Sequence, residues 1–479
     1  MKVLTFQYGK LRNFHGLLLF FCGDTPAQAW AGGFKESVSA ETPCRRCLAN
    51  HADYLSITNI NEFTLRTAES HLQHLDAVES YMRPPGQVRR LPNGDHPDPS
   101  VRFGVNRRSV LLSVPYFDIT RCLVQDVMHL GPEGLGELLC RTLLNHVVKE
   151  KRVMSLNEVN NKIEELSTCF TEDKPSFNIT DEHLQKKLRQ SAAQLVNLGI
   201  ILPFVLRTQS EDGDHCFAGD REYLDCFILY LQVMNLCMSY ELRIEDKDIL
   251  KAKVKSLHEM LLITFGMLTM AKIHFFHHLS EQLDLFGVLR QLACFRFEAH
   301  HAFFKRLIRI IRNFKQVLLS LSVRHQTRQV ERMMKPNFLY EGHQFGALTH
   351  LPPTASDQYI ASLKVIFPVI DSLAAAKKLT MFGTTFHVDK SIILLDYSDD
   401  LPQFGLLKKI YSINNCSYGF VCVKINTVRL DDQVNAFLVH LTASKVPLDA
   451  EKLIFPHKIF SIKAEQKWYA IPYGHRKFM

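Results

Sequence analysis

No stretch of the 479 residues approaches the roughly 18 consecutive apolar residues of a membrane-spanning helix, so none is expected to cross a bilayer. A disulfide framework is also missing. The 12 cysteines are scattered without regular spacing and only Cys44 and Cys47 form a close pair, which points to a reducing compartment. No internal repeat and no low-complexity tract interrupts the chain, and 22 Gly and 19 Pro are too few for a fibrous or disordered protein. What remains is globular: 46% apolar and 22% charged residues, in a chain too long for one hydrophobic core and therefore expected to form about two or three domains. The formal charge of +8 leans toward an anionic partner.

The first 30 residues imitate a secretory leader, because Lys2, Lys10 and Arg12 precede "GLLLFFC" and then "AQA". Asn13 and His15 interrupt that approach, and the apolar run barely reaches the minimum of about 7 residues. Residues 16–22, bounded by Gly16 and Gly23, read instead as a buried strand followed by loop over 23–55. Residues 82–108 carry five prolines and six arginines, the texture of an irregular surface segment; a contact with a substrate strand is the rival reading. Helical periodicity runs over about 123–201, with Leu135, Leu138, Leu139, Leu143 and Val147 at spacings of three and four, and again over about 221–290. A further single helix is expected from about Glu298 to Met334. Past 340, short runs such as "KSIILLDY" and "YGFVCVKI" are separated by Asp, Asn and Pro, so a small all-β domain is expected, joined near "LTHLPPTAS".

Four clusters carry chemistry. Asp24 closes the 16–22 run, and a rigid strand end is where α/β folds place functional groups, although a helix cap is the commoner use of such a residue. Cys44 and Cys47 have the spacing of half a zinc site, and His274 and His278, one helical turn apart, can supply the other half while His277 points elsewhere. Asp126 and His129 stand three apart at a helix start, where Asp126 either caps the helix or serves a site that His129 faces. Glu298 opens a helix on which Lys305, Arg309 and Arg312, and then Arg324, Arg328 and Arg332, recur at helical spacing, as a phosphate-backbone ligand requires. A solvated charged face is the plainer use of such a stripe.

Taken in order, "GDTPAQAWAGGF" with "CRRCL", "RTAESH", "QDVMHLGPEGL", "DKPSFNI", "KIHFFHHLSEQLDLFGVL" and "RFEAHHAFFKRLIRIIRNFKQVLLSLSVRHQ" resemble the catalytic region of CACTA (En/Spm-like) transposases of the animal lineage. The likeness covers roughly residues 10–330. It implies an α/β plus all-β chain: an RNase H-like core over 1–340 with a long helical insertion over about 130–290, then a small C-terminal β-barrel-like domain over 341–479. By this resemblance Asp24 matches the second catalytic aspartate and Glu298 the closing glutamate. Cys44, Cys47, His274 and His278 match the family's zinc set, and Asp126 with His129 its Asp-x-x-His stretch, with His129 facing the metal or the active site.

Carboxylates suit Mg²⁺ or Mn²⁺, whereas thiolate and imidazole suit Zn²⁺. Relatives carry a first aspartate on an earlier strand, yet residues 1–23 contain neither Asp nor Glu. The resemblance is therefore to an N-terminally truncated copy, or to one in which Asp126 replaces the missing ligand. The function it implies is a transposase-derived nuclear protein that binds DNA and can self-associate, with strand cleavage impaired and neither a membrane nor a small-molecule substrate as partner. The alternative is a zinc-stapled scaffold for chromatin or protein partners without DNA chemistry. A secreted protein is the third reading, if "AQA" is cleaved.

Overall fold

The structure, a computed structural model, describes residues 2–7, 10–15, 17–81, 93–209, 215–266, 271–312, 314–334, 343–352, 358–399, 401–457 and 459–475. Two parts of the sequence reading, the "RPPGQVRRL" stretch within 82–92 and the "PTAS" joint within 353–357, lie outside the described residues. No helix among those described is long and apolar enough to cross a membrane.

The chain opens with an antiparallel hairpin, Lys2–Gln7 against Lys10–His15. The expected strand over 16–22 does not form. Leu17, Leu18 and Leu19 are exposed, and the segment touches a β partner only where Phe21 makes a parallel bridge to Leu123. A strand is stabilised by ladders on its edges, and here one bridge on one edge is all the described residues provide. Asp24 then caps the helix Thr25–Gly32 through Ala27 N–H, 2.7 Å away, and Gly33 stops it at φ 74°. In that left-handed turn a Cβ would sit 2.0 Å from the Arg107 carbonyl oxygen, so glycine is required.

The helical body follows. Leu135, Leu139, Leu143 and Val147 are buried as their spacing requires. They surround a 14-residue helix, Ala192–Val205, that is apolar on almost every side and lies in the middle of the core. Leu156–Leu166 and Arg221–Cys237 pack on it, and Asp246–Phe265 packs in turn on Arg221–Cys237 and on Leu279–Phe286.

The single helix expected from Glu298 to Met334 is two. Phe295–Ile311 ends where Arg312 turns left-handed at φ 50°, and Val317–Met333 folds back beside it. Phe304 meets His325 at 5.6 Å between ring centroids, and Arg328 sits over the Phe303 ring at 4.3 Å. Neither arm of this hairpin contains a buried residue.

Beyond 343 the chain is β-rich. An eight-stranded antiparallel sheet runs in the spatial order Phe460–Ala464, Lys467–Ile471, Ala436–Asp449, Ser417–Asp431, Leu401–Ile413, Leu373–Ala376 and Leu348–Leu351, with Ile392–Ser398 also pairing to Leu401–Ile413. Register shifts at Leu394/Asp396, Leu407/Lys409, Val423/Ile425 and Thr427/Arg429 bend the long strands. The barrel expected here is not closed. Among the described residues a single bridge, Ile392 to Ile459, curls one edge toward the other. Two aromatic edges, Phe204–Tyr469 at 5.0 Å and Phe170–Phe460 at 5.1 Å, join the sheet to the helical body, and Ile462, Tyr469 and Ile471 belong to the helical core. The protein is thus a mixed α/β chain with a C-terminal antiparallel sheet region.

Candidate metal centre and adjoining carboxylate cluster

Cys44 and Cys47 lie on a loop held by backbone bonds to the 64–66 segment: Leu48 N–H donates to Thr64 O and Arg66 N–H to Arg46 O, each at 2.8 Å. From more than two hundred residues away, His274 on the helix Ala271–Phe276 and His278 in the turn just past it, at the cap of the helix Leu279–Phe286, meet them; the single helix face expected to carry both is broken at 277–278. Cys47 Sγ is 3.1 Å from His274 Nε2, Cys44 Sγ is 3.4 Å from His278 Nε2, and the two Nε2 atoms are 3.3 Å apart. All four donor atoms lie within 4.8 Å of one another, and all four residues are fully buried.

Zinc–sulfur bonds of about 2.3 Å and zinc–nitrogen bonds of about 2.0–2.1 Å at tetrahedral angles place sulfur about 3.6 Å from nitrogen and the two nitrogens about 3.3 Å apart. The observed distances match these edges to within about half an ångström. The donor set therefore fits a tetrahedral ion and can hold a metal such as zinc.

The surroundings suit a thiolate at Cys44, while the hydrogen bond with Cys44 and burial push the Cys47 thiol up. Arg46 N–H donates to Cys44 Sγ at 3.3 Å. Burial opposes ionisation of Cys44, yet its hydrogen bond with Cys47 and the charges of His278 and His274 hold it well below the usual thiol range. Tyr54 stacks on His274 at 4.4 Å and Phe63 meets the same ring edge-on at 4.6 Å. Beside His278, Glu281 Oε2 lies 3.6 Å from Nδ1 and accepts from Arg46 at 2.8 Å, orienting the ring from behind as carboxylates do for metal-bound histidines. His277 points elsewhere, its Nε2 2.9 Å from His258 Nδ1, while His258 Nε2 bonds Tyr54 O.

A second cluster lies next to the first. The parallel bridge Phe21↔Leu123 aligns two segments, and each carries an acid three residues further on, Asp24 and Asp126. Asp126, 1% exposed, caps its short helix through Met128 and His129 N–H at 3.1 and 3.3 Å. It also accepts Cys294 N–H from across the fold at 2.9 Å and bonds His129 Nδ1. His129 Nε2 in turn faces Glu298 Oε1 at 3.4 Å and Glu133 Oε2 at 3.8 Å. The hydrogen bond to Asp126, against burial and with the charges of Asp126, Glu133 and Glu298, raises the His129 pKa. Asp126 is lowered: burial works against ionisation, but His129 and the backbone donors outweigh it. The Cys294 thiol beside Asp126 is pushed up by burial and then by the charge of Asp126, while the Asp24 carboxylate accepts Ala27 N–H as the cap of its own helix.

Not every residue lands where the sequence placed it. His129 belongs with Asp126 and Glu298, not with the four buried donors, because the short helix that Asp126 caps turns it toward the 295–311 helix. Asp126 acts as cap and tether, its oxygens committed to three backbone N–H groups and one imidazole. Asp126, His129 and Cys294 do offer donor atoms within 4.8 Å of one another, of which the Asp126 carboxylate and the His129 ring already bond each other. Lys305, Arg309, Arg312, Arg324, Arg328 and Arg332 are all exposed, divided between the two arms of the hairpin instead of aligned along one helix.

Several residues of the site had no readable signal. Arg45, buried, bonds Gln28 Oε1 at 3.3 Å and Gln125 Oε1 at 3.1 Å, and burial lowers its pKa to about 10. Gln282 clamps the Gln125 backbone from both sides, accepting its N–H at 2.5 Å and donating to its carbonyl at 2.9 Å. Arg66, Gln28, Gln125, Gln282 and Cys294 fit no motif spacing. The π-helical turn Gly131–Gly136 directly after His129 is marked in the sequence only by "GPEGLG"; such turns recur at functional sites. No family model and no curated protein matches the chain.

Proposed function

We propose that this chain is a transposase-derived DNA-binding protein of the CACTA lineage, built on an RNase H-like core, zinc-stapled, nuclear, and impaired in strand cleavage. The observation that supports the reading is the meeting of Asp126, His129 and Glu298, beside a bridge that aligns the segment carrying Asp24 with the one carrying Asp126. Two acids lie three residues past a parallel bridge, at the carboxyl ends of adjacent segments where such folds place their chemistry. The third arrives on a helix from 170 residues downstream, facing His129 at 3.4 Å.

Hydrolysis by two ions about 3.5–4 Å apart needs several carboxylates converging on them. Asp126 is committed to its four hydrogen bonds, so of the three acids named by the resemblance only Asp24 and Glu298 are left, too few for a two-ion Mg²⁺ or Mn²⁺ site. The residues that remain equipped are those that bind. The exposed cations of the 295–333 hairpin match an anionic backbone in sign.

The test is binding of the purified chain to a labelled DNA duplex across a salt series, together with a nicking assay in Mg²⁺ and Mn²⁺. The expected result is sequence-tolerant binding that weakens steeply with salt, a shallower salt slope in Lys305→Ala/Arg309→Ala, and no nicking. Nicking abolished by Glu298→Gln overturns the impairment. Absence of binding at low salt overturns the nucleic-acid reading in favour of a zinc-stapled scaffold.

A further inference from the structure

The helix Val317–Met333 carries a second pattern that its basic residues do not account for. Leu319, Val323, Gln326, Val330 and Met333 recur at spacings of four, three, four and three, the a/d seam of a coiled coil. All five are exposed to solvent: Leu319 59%, Val323 53%, Val330 55% and Met333 59%, with Gln326 also in the exposed class. The same helix uses its other side to meet its neighbour. Val317, Leu321, His325 and Gln329 are half-buried toward the helix Phe295–Ile311. The seam is therefore not the face that closes the hairpin; it is a second apolar face on a helix already held in place.

We infer that this seam joins two copies of the chain. Three features of the helix select a second copy over another partner. Taken with Leu319 and Met333 at the d positions, Val323 and Val330 fall at a, and β-branched a residues with Leu-like d residues favour a two-stranded pairing. The positions flanking the seam, Ser320, Ser322, Thr327 and Gln329, are all uncharged, so two copies approach without the like-charge clash that this basic hairpin would otherwise impose. Arg324, Arg328 and Arg332 fall outside both the seam and its flanks, Arg328 lying over the Phe303 ring on the side that closes the hairpin. The seam is also nearly symmetric about Gln326, with Leu319 and Met333 each seven residues away, so a two-fold axis at Gln326 brings that residue onto its own counterpart in either helix direction. A polar pair at that point bonds to itself and disfavours slipped registers.

The seam is short, about 21 Å at 1.5 Å per residue, so the dimer is weak. Because the hairpin already orders the helix, little conformational freedom is lost on pairing, and dissociation constants on the order of 10 µM are expected. The inference rests on this helix alone and not on the nucleic-acid reading.

Sedimentation equilibrium of the full chain between about 1 and about 100 µM tests it. The expected result is a reversible monomer–dimer equilibrium. Val323→Glu/Val330→Glu should weaken it by at least about 30-fold, because it sets like charges across the axis, while the melting curve, read from circular dichroism of the monomer, stays that of the unaltered chain. Gln326→Cys should give an inter-chain disulfide on copper–phenanthroline oxidation that the unaltered chain does not form. A chain that stays monomeric throughout leaves the seam to some other partner and overturns the inference; so does a dimer indifferent to the double glutamate substitution, or a Gln326→Cys chain that does not cross-link.

Discussion

Removing the metal from the buried Cys44–Cys47–His274–His278 centre is expected to loosen the whole N-terminal body, and the size of the effect follows from where the four ligands sit. Cys47 and His274 are 227 residues apart in sequence. A cross-link closing a loop of that length restricts the unfolded chain by about 5 kcal/mol in the chain-entropy treatment developed for disulfides. An ion gripping both ends acts in the same sense, and its own binding free energy adds to folding. Without it, two imidazole nitrogens 3.3 Å apart face each other and two thiols in a site with no access to water, an arrangement that leaves polar atoms poorly satisfied. A loss of about 5 kcal/mol corresponds to a melting-temperature drop on the order of 10 °C or more for a unit of this size. The assay is metal analysis of the purified chain, followed by thermal melts with and without 1,10-phenanthroline and for Cys44→Ser. About one zinc per chain and a shared destabilisation by chelator and substitution are expected. A chain that purifies without metal and melts identically as Cys44→Ser would refute the reasoning.

Two further substitutions probe the same neighbourhood. Arg66 is buried and donates to the carbonyls of Cys44 (2.8 Å), Thr42 (2.8 Å) and Phe103 (2.7 Å), so Arg66→Lys, which keeps the charge but not the planar fork, should cost about 2–4 kcal/mol in denaturant melts; an unchanged midpoint would show the fork to be dispensable. The Asp126–His129 pair makes stability depend on pH. Asp126, lowered in the fold, contributes above its unfolded pKa of about 3.9 and loses that contribution as pH falls through its folded value. His129, raised in the fold, contributes fully below its unfolded pKa of about 6.5 and loses that contribution as pH rises through its folded value. The melting difference between the unaltered chain and His129→Gln should therefore be greatest between about pH 4 and about pH 6.5 and shrink on either side; a difference independent of pH would remove the charged pair from the account.

How much of this was legible in the sequence differs by feature, for physical reasons. The two halves of the metal centre were readable because ligand chemistry fixes local spacing: two residues between cysteines, one turn between histidines. The β-rich texture past 340 and the buried Leu135–Leu139–Leu143–Val147 face were readable because periodicity reports which face is covered. The strand over 16–22 was misread, since an apolar run records only that a segment is greasy and not whether neighbouring strands exist to pair with it. The break at Arg312 escaped notice because a left-handed turn needs neither Gly nor Pro, and helical periodicity continues on both sides of it. Closure of the sheet was out of reach too, for it depends on bulge positions that alternation does not encode. The supports, Arg45, Arg66, Gln28, Gln125 and Gln282, act through hydrogen bonds spanning 17 to 157 residues, and no local pattern announces such a bond.

Those supports also tie the two clusters into one unit. Arg45 sits between the metal-binding cysteines and reaches Gln28 and Gln125, residues that neighbour Asp24 and Asp126 in the chain. Gln282, one turn beyond His278, fixes the backbone of Gln125, and Arg46 bridges to Glu281 beside His278. Two of the routes that position the Asp126 cap, through Arg45 and through Gln282, start close to the four donors, and the Phe21–Leu123 bridge supplies another. The Cys44–Cys47–His274–His278 centre, with any ion it holds, is thus one support of the carboxylate cluster. Its loss should displace Glu298 from His129 before the sheet region, whose inner clusters are drawn from residues 345–470 with Tyr240 as the one helical contribution, feels any change.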